Sequence, residues 1–309
     1  MSTEAIDADG DIIVNCADKS FLVSFKALSL ASPVFNAMFQ SHFKEGKTLR
    51  TSTERPEFSL PDDDPGSFRL FCYIAHHMSA AAPSQVEPEM LLKLAILIDK
   101  YHCGPVMTHQ GELWLKRSKL DSRESIWSMM VFAYAINSEY WFQYCSSKLL
   151  VSYRAEVRSW DFAVNNLAFL PAKILDQLEK RRKSIYAGVH ASLTYPITEL
   201  ARLLSDRCTE KKTLIGAYME NLHKADILPG TYTLNDTSCS KILEQAQQLP
   251  FYSYLCKNSK SGCHCFQFDG LAQRERVLSE INKCLPYRES GLCLPCFRNG
   301  ECGEHFGGQ

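Results

Sequence analysis

The chain has 309 residues, of which 45% are hydrophobic and 22% charged, and its 34 basic and 35 acidic side chains leave a net charge of −1. This balance excludes a global electrostatic attraction to nucleic acid or anionic lipid, and the length predicts about two domains. The sequence opens without a basic segment followed by an apolar one, and its longest apolar runs fall short of the ~18–20 residues of a membrane span. We therefore expect a cytosolic or nuclear protein.

Residues 11–39 change their hydrophobic period partway along. Residues 12–16 and 20–23 are rich in β-formers and flank a short polar connection, which predicts an antiparallel hairpin. Residues 26–30 have the pattern of a short helix, and Ser32-Pro33 signals the start of another, because serine caps N–H groups and proline has none to lose. The second helix carries its apolar side chains on one face, at Val34, Phe35, Met38 and Phe39. We expect Phe35 and Met38 to be buried.

Residues 40–104 predict a loop, a strand and two helices. The polar residues 40–55 predict the loop, and residues 58–60 alternate as a short strand. Asp62-Asp63-Asp64 precedes a helix over 68–77; the triplet suits the positive end of a helix dipole, with cation binding as the alternative. Residues 90–101 form a helix whose apolar stripe is widened by Ile96 and Leu97, and we expect this helix to be nearly enclosed.

From Pro105 onward the periodicity is helical, with neither an internal repeat nor a low-complexity tract. Ser138 opens a helix in which Trp141, Phe142, Cys145 and Leu149 share one face. Further helices are expected after Pro171, after Cys208 and around Cys239. The sequence therefore predicts an all-helical extension over 105–255, followed by a cysteine-rich tail over 256–309.

The run F-L-V-S-F-K-A-L-S-L-A-S-P-V-F-N-A-M-F at 21–39 resembles the N-terminal half of a BTB/POZ domain, in the style of fungal members. Eight residues fall on pattern positions of that family: Asp11, Phe21, Leu28, Ser32, Pro33, Phe35, Met38 and Phe39. The family's His-Lys pair is replaced here by Ser24-Phe25. The resemblance implies a BTB/POZ-like domain over 9–104, an α/β (α+β) fold with a small sheet packed against short helices.

The resemblance also implies partners. BTB proteins that bring substrates to a cullin scaffold carry a hydrophobic-x-Glu triplet after the Met-Phe helix, and Phe43-Lys44-Glu45 occupies that place. Dimeric members pair the strand aspartate with a buried basic residue, but Phe25 stands at that position. Asp11 is therefore expected to lack this partner, and any homodimer would form without that pair.

Thirteen cysteines, an odd number, predict buried thiols or metal ligands in a reducing compartment. In the tail, Cys263, Cys265, Cys293 and Cys296 are spaced so that short turns could present them to one structural Zn²⁺, with Cys302 and His305 as alternates. The alternative is that these cysteines are small hydrophobic residues of a core. Cys293-Leu-Pro-Cys296 also resembles a redox dithiol, but the glycines at 291 and 300 predict a loop where that chemistry needs a helix.

Other charged or polar signals have simpler interpretations. The basic run 180–183 has the composition of a nuclear import signal, and the solvated face of a long helix explains it equally. His76, His102 and His190 lie on predicted helices without ligand-spaced partners. The sequence contains no phosphate-binding glycine loop, nucleophile elbow or catalytic carboxylate pair.

Three hypotheses follow. The favoured one is a non-enzymatic protein–protein interaction module, an adaptor for a cullin-type ubiquitin ligase. The second is a nuclear, chromatin-associated regulator that self-associates through the same domain. The third, a small zinc- or thiol-dependent enzyme, depends on the tail alone.

Overall fold

The computed structural model describes residues 3–41, 43–51, 54–154, 156–165, 170–203, 209–230, 236–250, 270–284 and 291–300. These residues are mostly helical, with a small four-stranded mixed sheet at the N-terminal end. This agrees with the prediction of an N-terminal α+β region followed by a helical region. None of the described helices has both the length and the apolar character needed to cross a bilayer.

The strands and helices are numbered in chain order. The strands are β1 Thr3–Ala5, β2 Ile12–Cys16, β3 Lys19–Val23 and β4 Glu57–Leu60. The helices up to residue 152 are α1 Phe25–Ala31, α2 Pro33–Met38, α3 Lys44–Thr51, α4 Pro65–Ala75, α5 Pro88–Tyr101, α6 Gly104–Arg117, α7 Arg123–Ala135 and α8 Glu139–Ser152. Those that follow are α9 Asp161–Asn165, α10 Lys173–Leu203, α11 Thr209–Lys224, α12 Cys239–Gln247, α13 Gly270–Cys284 and α14 Leu294–Asn299, with a 3-10 turn at Val157–Ser159.

The chain divides into two compact units. Unit 1 comprises residues 1–145, 165–171 and 293–309, and unit 2 comprises residues 146–164 and 172–292. Unit 1 thus continues beyond 104, through α6 and α7, and takes in α14. The division into domains at 9–104, 105–255 and 256–309 stays a prediction.

The sheet of unit 1 has the order β1-β3-β2-β4. The predicted hairpin is confirmed: β2 and β3 are antiparallel, with Val14 opposite Phe21, whereas β4 runs parallel to β2 with Phe58 beside Val14. Ile12, Val14 and Cys16 alternate as buried side chains along β2, which shows that one face of the strand lies on the core. The short edge strand β1, parallel to β3, was not predicted.

Local hydrogen bonds fix the first helices. Ser24 caps α1 by accepting from the N–H of Ala27, and Ser32 caps α2 by accepting from the N–H of Phe35. The Ser32 hydroxyl also donates to the Tyr101 carbonyl (Oγ to O 2.6 Å), joining the start of α2 to the end of α5. Pro33 is the first residue of α2, so the predicted start signal is confirmed.

Phe35 lies at the centre of the core of unit 1. Its ring is 1% exposed and stacks on the Tyr101 ring, with centroids 4.3 Å apart. Other BTB-pattern residues are also buried, namely Phe21, Leu28, Ser32 and Phe39. Met38 was predicted to be buried and is only half-buried, because the buried face of α2 is centred on Phe35 and Phe39. The core prediction therefore holds for the aromatic residues of α2.

Three predictions about the helices need correction. The polar stretch assigned to a loop contains α3, and the stretch around the Cys-x-x-Cys sequence forms α14. Ile96 is 44% exposed, so α5 is less enclosed than its composition indicates. Tertiary packing stabilises such short helices, at Gly46 in α3 and at Phe297 in α14, and hydrophobic periodicity contains no information about these contacts.

Unit 2 is built around the long helix α10, which packs against α11, α12 and α13. Leu178, Val189 and Leu193 are fully buried along it. Pro196 lies inside α10 and offers no N–H to the carbonyl of Ser192, its usual helical acceptor. The Tyr218 hydroxyl of α11 donates to the neighbouring Leu193 carbonyl (Oη to O 2.9 Å), so a side chain of another helix bonds the backbone beside the gap.

Candidate partner-binding surface

The predicted triplet Phe43-Lys44-Glu45 lies at the start of α3. The Phe43 N–H donates to the Gln40 carbonyl (3.2 Å), and the Phe43 carbonyl accepts from the Lys47 N–H (3.1 Å). The Phe43 side chain is 51% exposed although its backbone is held on both sides. Lys44 is exposed and Glu45 is half-buried in the first turn. An ordered helix start therefore presents an aromatic ring to solvent with a carboxylate two residues away.

Gly46 explains how α3 can lie so close to the end of α2. A Cβ atom at this position would stand 1.8 Å from the Gln40 carbonyl oxygen, far inside van der Waals contact. The buried backbone of Gly46 therefore packs directly on the backbone of residues 39–40. This close contact fixes the first turn of α3 against unit 1, and the Phe43 ring lies outside it.

Asp11, at the predicted dimer position, binds a backbone group of the same chain. Its Oδ1 accepts a hydrogen bond from the backbone N–H of Phe25, with 2.7 Å between the heavy atoms. The expectation concerned a basic side chain, which Phe25 cannot supply; in its place a backbone N–H at the start of α1 binds the Asp11 carboxylate. The carboxylate is exposed.

His76 joins α1 to α4 beside Asp11. Its Nε2 accepts from the Ser24 N–H (2.9 Å), and its Nδ1 lies 2.8 Å from the Cys72 carbonyl oxygen. Because the first contact needs an acceptor and the second a donor, the ring fits as the neutral tautomer protonated at Nδ1. The interpretation of His76 as a satisfied helix histidine agrees with these contacts.

A groove with a volume of about 910 Å³ lies between α1, the end of α4 and residues 5–8. Leu30 and Met78 stand at this groove with 76% and 38% of their surface exposed. Ala27, Ala31 and Ala75 form small apolar parts of its wall, and Lys26 adds a charge. Like the Phe43 ring, this groove exposes apolar surface to solvent close to the predicted BTB/POZ residues.

The acidic triplet is used within the fold. Asp64 caps α4 by accepting from the Ser67 N–H (2.9 Å), which confirms the predicted cap. Asp63 is 7% exposed and accepts from the Tyr101 hydroxyl and from Lys100 Nζ. Burial, together with this hydrogen bond, raises the pKa of Tyr101. The ammonium group of Lys100 already pairs with the Asp63 carboxylate, where the cation hypothesis would place a metal ion.

Two of the four predicted zinc ligands are described. Cys293 and Cys296, at the start of α14, are half-buried, whereas Cys263, Cys265, Cys302 and His305 lie outside the described residues. Within the described ranges, no group of three His, Cys, Asp or Glu side chains is placed to hold a metal ion. The zinc hypothesis stays a prediction. Elemental analysis of the purified protein, compared with Cys293→Ser and Cys296→Ser, tests it.

The buried residues of α14 fix its position in unit 1. The Phe297 ring is 1% exposed and meets the rings of Tyr134 and Phe142, at 5.8 and 5.7 Å between centroids. Arg298 donates to the Tyr134 carbonyl (2.6 Å) and lies over the Tyr134 ring. Packing of this kind is sufficient reason for a helix at 294–299.

The basic run 180–183 lies within α10, as the helix interpretation predicts. It is not uniformly solvated: Arg182 is 2% exposed and pairs with Glu179 (Nε to Oε2 3.3 Å). His102 ends α5 in the left-handed conformation. Burial lowers the pKa of His190, whose ring lies against that of Tyr186. These residues take part in the fold of their own helices.

The prediction for α8 is partly wrong. Phe142, Cys145 and Leu149 are buried as expected, but Trp141 is only half-buried and contacts Tyr140 and Tyr144. The sequence could have indicated this exposure. Tyr140, Trp141 and Tyr144 stand at i, i+1 and i+4, and these three large aromatic residues are too many for one buried stripe.

Comparison with known proteins assigns no family: no protein-family model matches this chain, and no curated protein matches it. The resemblance to BTB/POZ domains therefore stays a prediction from the residues.

Proposed function

We propose that this protein is a non-enzymatic protein–protein interaction module whose BTB/POZ-like region binds a cullin-type scaffold, so that it acts as a substrate adaptor of a ubiquitin ligase. The observation that carries the proposal is the half-exposed ring of Phe43, the residue directly before α3, whose backbone is hydrogen-bonded on both sides. Interface energy concentrates in a few aromatic anchors that enter pockets of the partner. A ring on an ordered backbone loses little conformational entropy on binding.

The neighbouring charges suit such a contact. Lys44 is exposed beside the ring, and Glu45 follows it in the same turn. Charges at the edge of an interface mainly set orientation and association rate, whereas the desolvated aromatic ring supplies most of the affinity. Phe43 is therefore the anchor, and Lys44 and Glu45 orient the partner.

Binding of the full chain to a purified cullin scaffold tests this proposal. We expect Phe43→Ala to weaken binding at least tenfold, as for a hot-spot residue, and Glu45→Gln to act mainly on the association rate and its salt dependence. Ile96→Ala, which truncates an exposed apolar side chain elsewhere, is the matched control and is expected to bind normally. Absence of binding by the unaltered protein, or equal binding by Phe43→Ala, would reject the proposal.

A second candidate function is self-association of a nuclear regulator, and the groove beside Leu30 favours it. A leucine with 76% of its surface exposed next to a groove with small apolar walls is suited to burial against a second copy. Sedimentation equilibrium tests this: Leu30→Asp should shift the protein toward monomer, whereas Ile96→Asp, at another exposed apolar site, should not. A monomeric parent protein at micromolar concentration would count against it.

A further inference from the structure

A cavity of about 640 Å³ lies in unit 1, between the end of α5, the start of α6, the end of α7 and the side chain of Arg298 in α14. Its volume falls in the range of about 300–1,000 Å³ that is usual for small-ligand sites. The largely buried Ile98 and Ile136 give the cavity an apolar wall. The charged or polar side chains that line it include Asp99, His102, Asn137 and Arg298.

Direct contacts between the helix ends fix the shape of this cavity. Gly104 begins α6, and a Cβ atom there would stand 2.7 Å from the Ala135 carbonyl oxygen, so the backbones of α6 and α7 touch. The Thr108 hydroxyl lies 3.1 Å from the carbonyl oxygens of both Gly104 and Ile136. Because the helix ends are already joined, a ligand would lose little free energy in ordering them.

The guanidinium group of Arg298 is held in place at the cavity. Its Nη2 donates to the Tyr134 carbonyl (2.6 Å), and its Cζ lies 4.5 Å from the centroid of the Tyr134 ring. A guanidinium group has five N–H donors, so others remain for a ligand. A planar donor group in a fixed orientation is suited to a carboxylate, which it can bind through two parallel hydrogen bonds.

Asp99 brings the opposite charge to the same cavity. Within the described residues, Asp99 and Arg298 form no ion pair with each other or with another charged side chain. In the same ranges the side chains of Asp99, His102 and Asn137 have no hydrogen-bond partner. The cavity therefore has a cation and an anion that the fold itself leaves without ionic partners.

This pair of charges discriminates between kinds of ligand. An inorganic anion attracted by Arg298 would be repelled by Asp99, and a metal ion attracted by Asp99 would be repelled by Arg298. A ligand that carries both a carboxylate and an ammonium group satisfies both side chains. The apolar wall at Ile98 and Ile136 adds a preference for a ligand with apolar surface of its own.

We propose that this cavity binds a free α-amino acid with a large apolar side chain. The carboxylate accepts hydrogen bonds from Arg298, the ammonium group donates to Asp99, and the apolar side chain lies against Ile98 and Ile136. The site shares no residue with the Phe43 surface or with the groove beside Leu30, so it does not depend on the proposed function.

Titration calorimetry of the full chain with L-phenylalanine tests the proposal. N-acetyl-phenylalanine, which lacks the ammonium charge, and phenylalanine amide, which lacks the carboxylate, are the matched control ligands. We expect saturable binding of one phenylalanine per chain with a submillimolar dissociation constant. Each control ligand should bind at least tenfold more weakly, because it leaves one charge-assisted hydrogen bond unmade.

Substitutions at the two charges assign the site. Arg298→Gln and Asp99→Asn should each weaken phenylalanine binding at least tenfold. Arg117→Gln is the matched control for the first, because Arg117 is also exposed and donates to a backbone carbonyl, that of Ser84. Asp62→Asn, at an exposed aspartate elsewhere, is the control for the second. Both controls should bind phenylalanine normally, and circular dichroism confirms that all variants are folded.

The variants and the control ligands should also correspond. Arg298→Gln should leave the binding of phenylalanine amide unchanged, and Asp99→Asn should leave that of N-acetyl-phenylalanine unchanged, because each ligand lacks the group that the altered side chain binds. The proposal would be overturned by no saturable heat at millimolar phenylalanine, by equal binding of the three ligands, or by variants that weaken all three equally. The ligand comparison uses the unaltered protein, so it decides the question even if a variant does not fold.

Discussion

The Asp11 carboxylate accepts a hydrogen bond from the backbone N–H of Phe25, with 2.7 Å between Oδ1 and N. Phe25 is the first residue of α1, so its N–H is among those that a helix leaves without an internal partner. The end of the loop before β2 is thereby attached to the first turn of α1. A peptide group serves Asp11 where the resemblance to BTB/POZ domains suggests a basic side chain.

Asp11→Ala should destabilise unit 1 by about 1 kcal/mol, the usual cost of removing a hydrogen bond that satisfies a helix N-terminus. Asp11→Asn keeps an acceptor oxygen and should retain most of that stability. Urea denaturation followed by circular dichroism measures both. Equal stability of Asp11→Ala and the parent protein would show that water can replace the carboxylate as the hydrogen-bond acceptor for the Phe25 N–H.

Phe35→Ala should lower the free energy of unfolding by about 3–5 kcal/mol, as for other buried aromatic residues. The ring stacks on Tyr101 and lies near Phe39, Phe68 and Phe71, so truncation leaves a cavity among rigid rings. Leu30→Ala is the control, because Leu30 is 76% exposed and its truncation should change stability by no more than about 0.5 kcal/mol. Similar values for the two variants would refute the assignment of Phe35 to the centre of the core.

Asp63→Asn should destabilise the protein by about 1–3 kcal/mol, the cost of disturbing a buried polar group with partners. Its carboxylate accepts from both Tyr101 and Lys100, and an amide can replace only part of this pairing. The neighbouring Asp62 is exposed, so Asp62→Asn is a matched control with the same chemical change. Denaturant midpoints of the two variants that agree within error would contradict the buried role of Asp63.

Cysteine reactivity should separate six of the described cysteines into two groups. Burial raises the pKa of Cys16 and of Cys103 to about 12, and it raises the pKa of Cys72 and Cys145 as well. Since only the thiolate is a nucleophile, these four should resist iodoacetamide at pH 8, while the half-buried Cys293 and Cys296 are modified first. Peptide mapping by mass spectrometry reads each site. Rapid native labelling of Cys16 would contradict its burial.

The same thiols predict a loss of stability at alkaline pH. The folded-state pKa of Cys16 and Cys103 is near 12, above the ordinary value of 9.0, so the unfolded chain loses these protons first as pH rises. The free energy of unfolding should therefore fall between about pH 9 and 12. Urea unfolding at pH 8 and pH 10 measures the fall, which should be smaller in Cys103→Ala. An unchanged slope in that variant would exclude a contribution from Cys103.

Gly46→Ala should disrupt α3 and with it the presentation of Phe43. The added Cβ would stand 1.8 Å from the Gln40 carbonyl oxygen, so the backbone of residues 40–46 must move. Gly216→Ala is the matched control: nothing lies within 4 Å of the added atom, Gly216 is inside α11, and alanine should stabilise that helix by up to about 1 kcal/mol. Proteolysis at residues 40–55 should increase in Gly46→Ala alone. Unchanged protease resistance would show that the contact can relax.

Much of unit 1 could be predicted from the sequence because its signals are local. The alternation at 12–16, the Ser32-Pro33 start of α2 and the Asp64 cap of α4 each depend on a few adjacent residues and on general backbone rules. These features alone place the hairpin and two helices. The identity of the domain family rests on the pattern at 21–39, and it stays a prediction.

The features that the sequence did not predict depend on contacts between distant residues. The strand β1 has three residues and is placed by β3 and by the bidentate pairing of Glu4 with Arg69, 65 positions away. The helix α3 depends on a close backbone approach at Gly46. Asp11 binds the backbone N–H of Phe25, a contact that no side-chain pattern in the sequence indicates. Hydrophobic period contains no information about such pairs, so it could not have placed Phe43 directly before a helix.

Pro196 gives the longest helix a position where its two parts can separate. The stretch before it holds several buried side chains, among them Val189 and Leu193, while the stretch after it ends at Leu203 and is anchored through Leu200, which is 2% exposed. Backbone amides before Pro196 should therefore exchange with solvent deuterium only through large openings of unit 2, and those after it through a local fraying motion. We therefore expect this continuous helix to behave in hydrogen exchange as two segments that open at different rates.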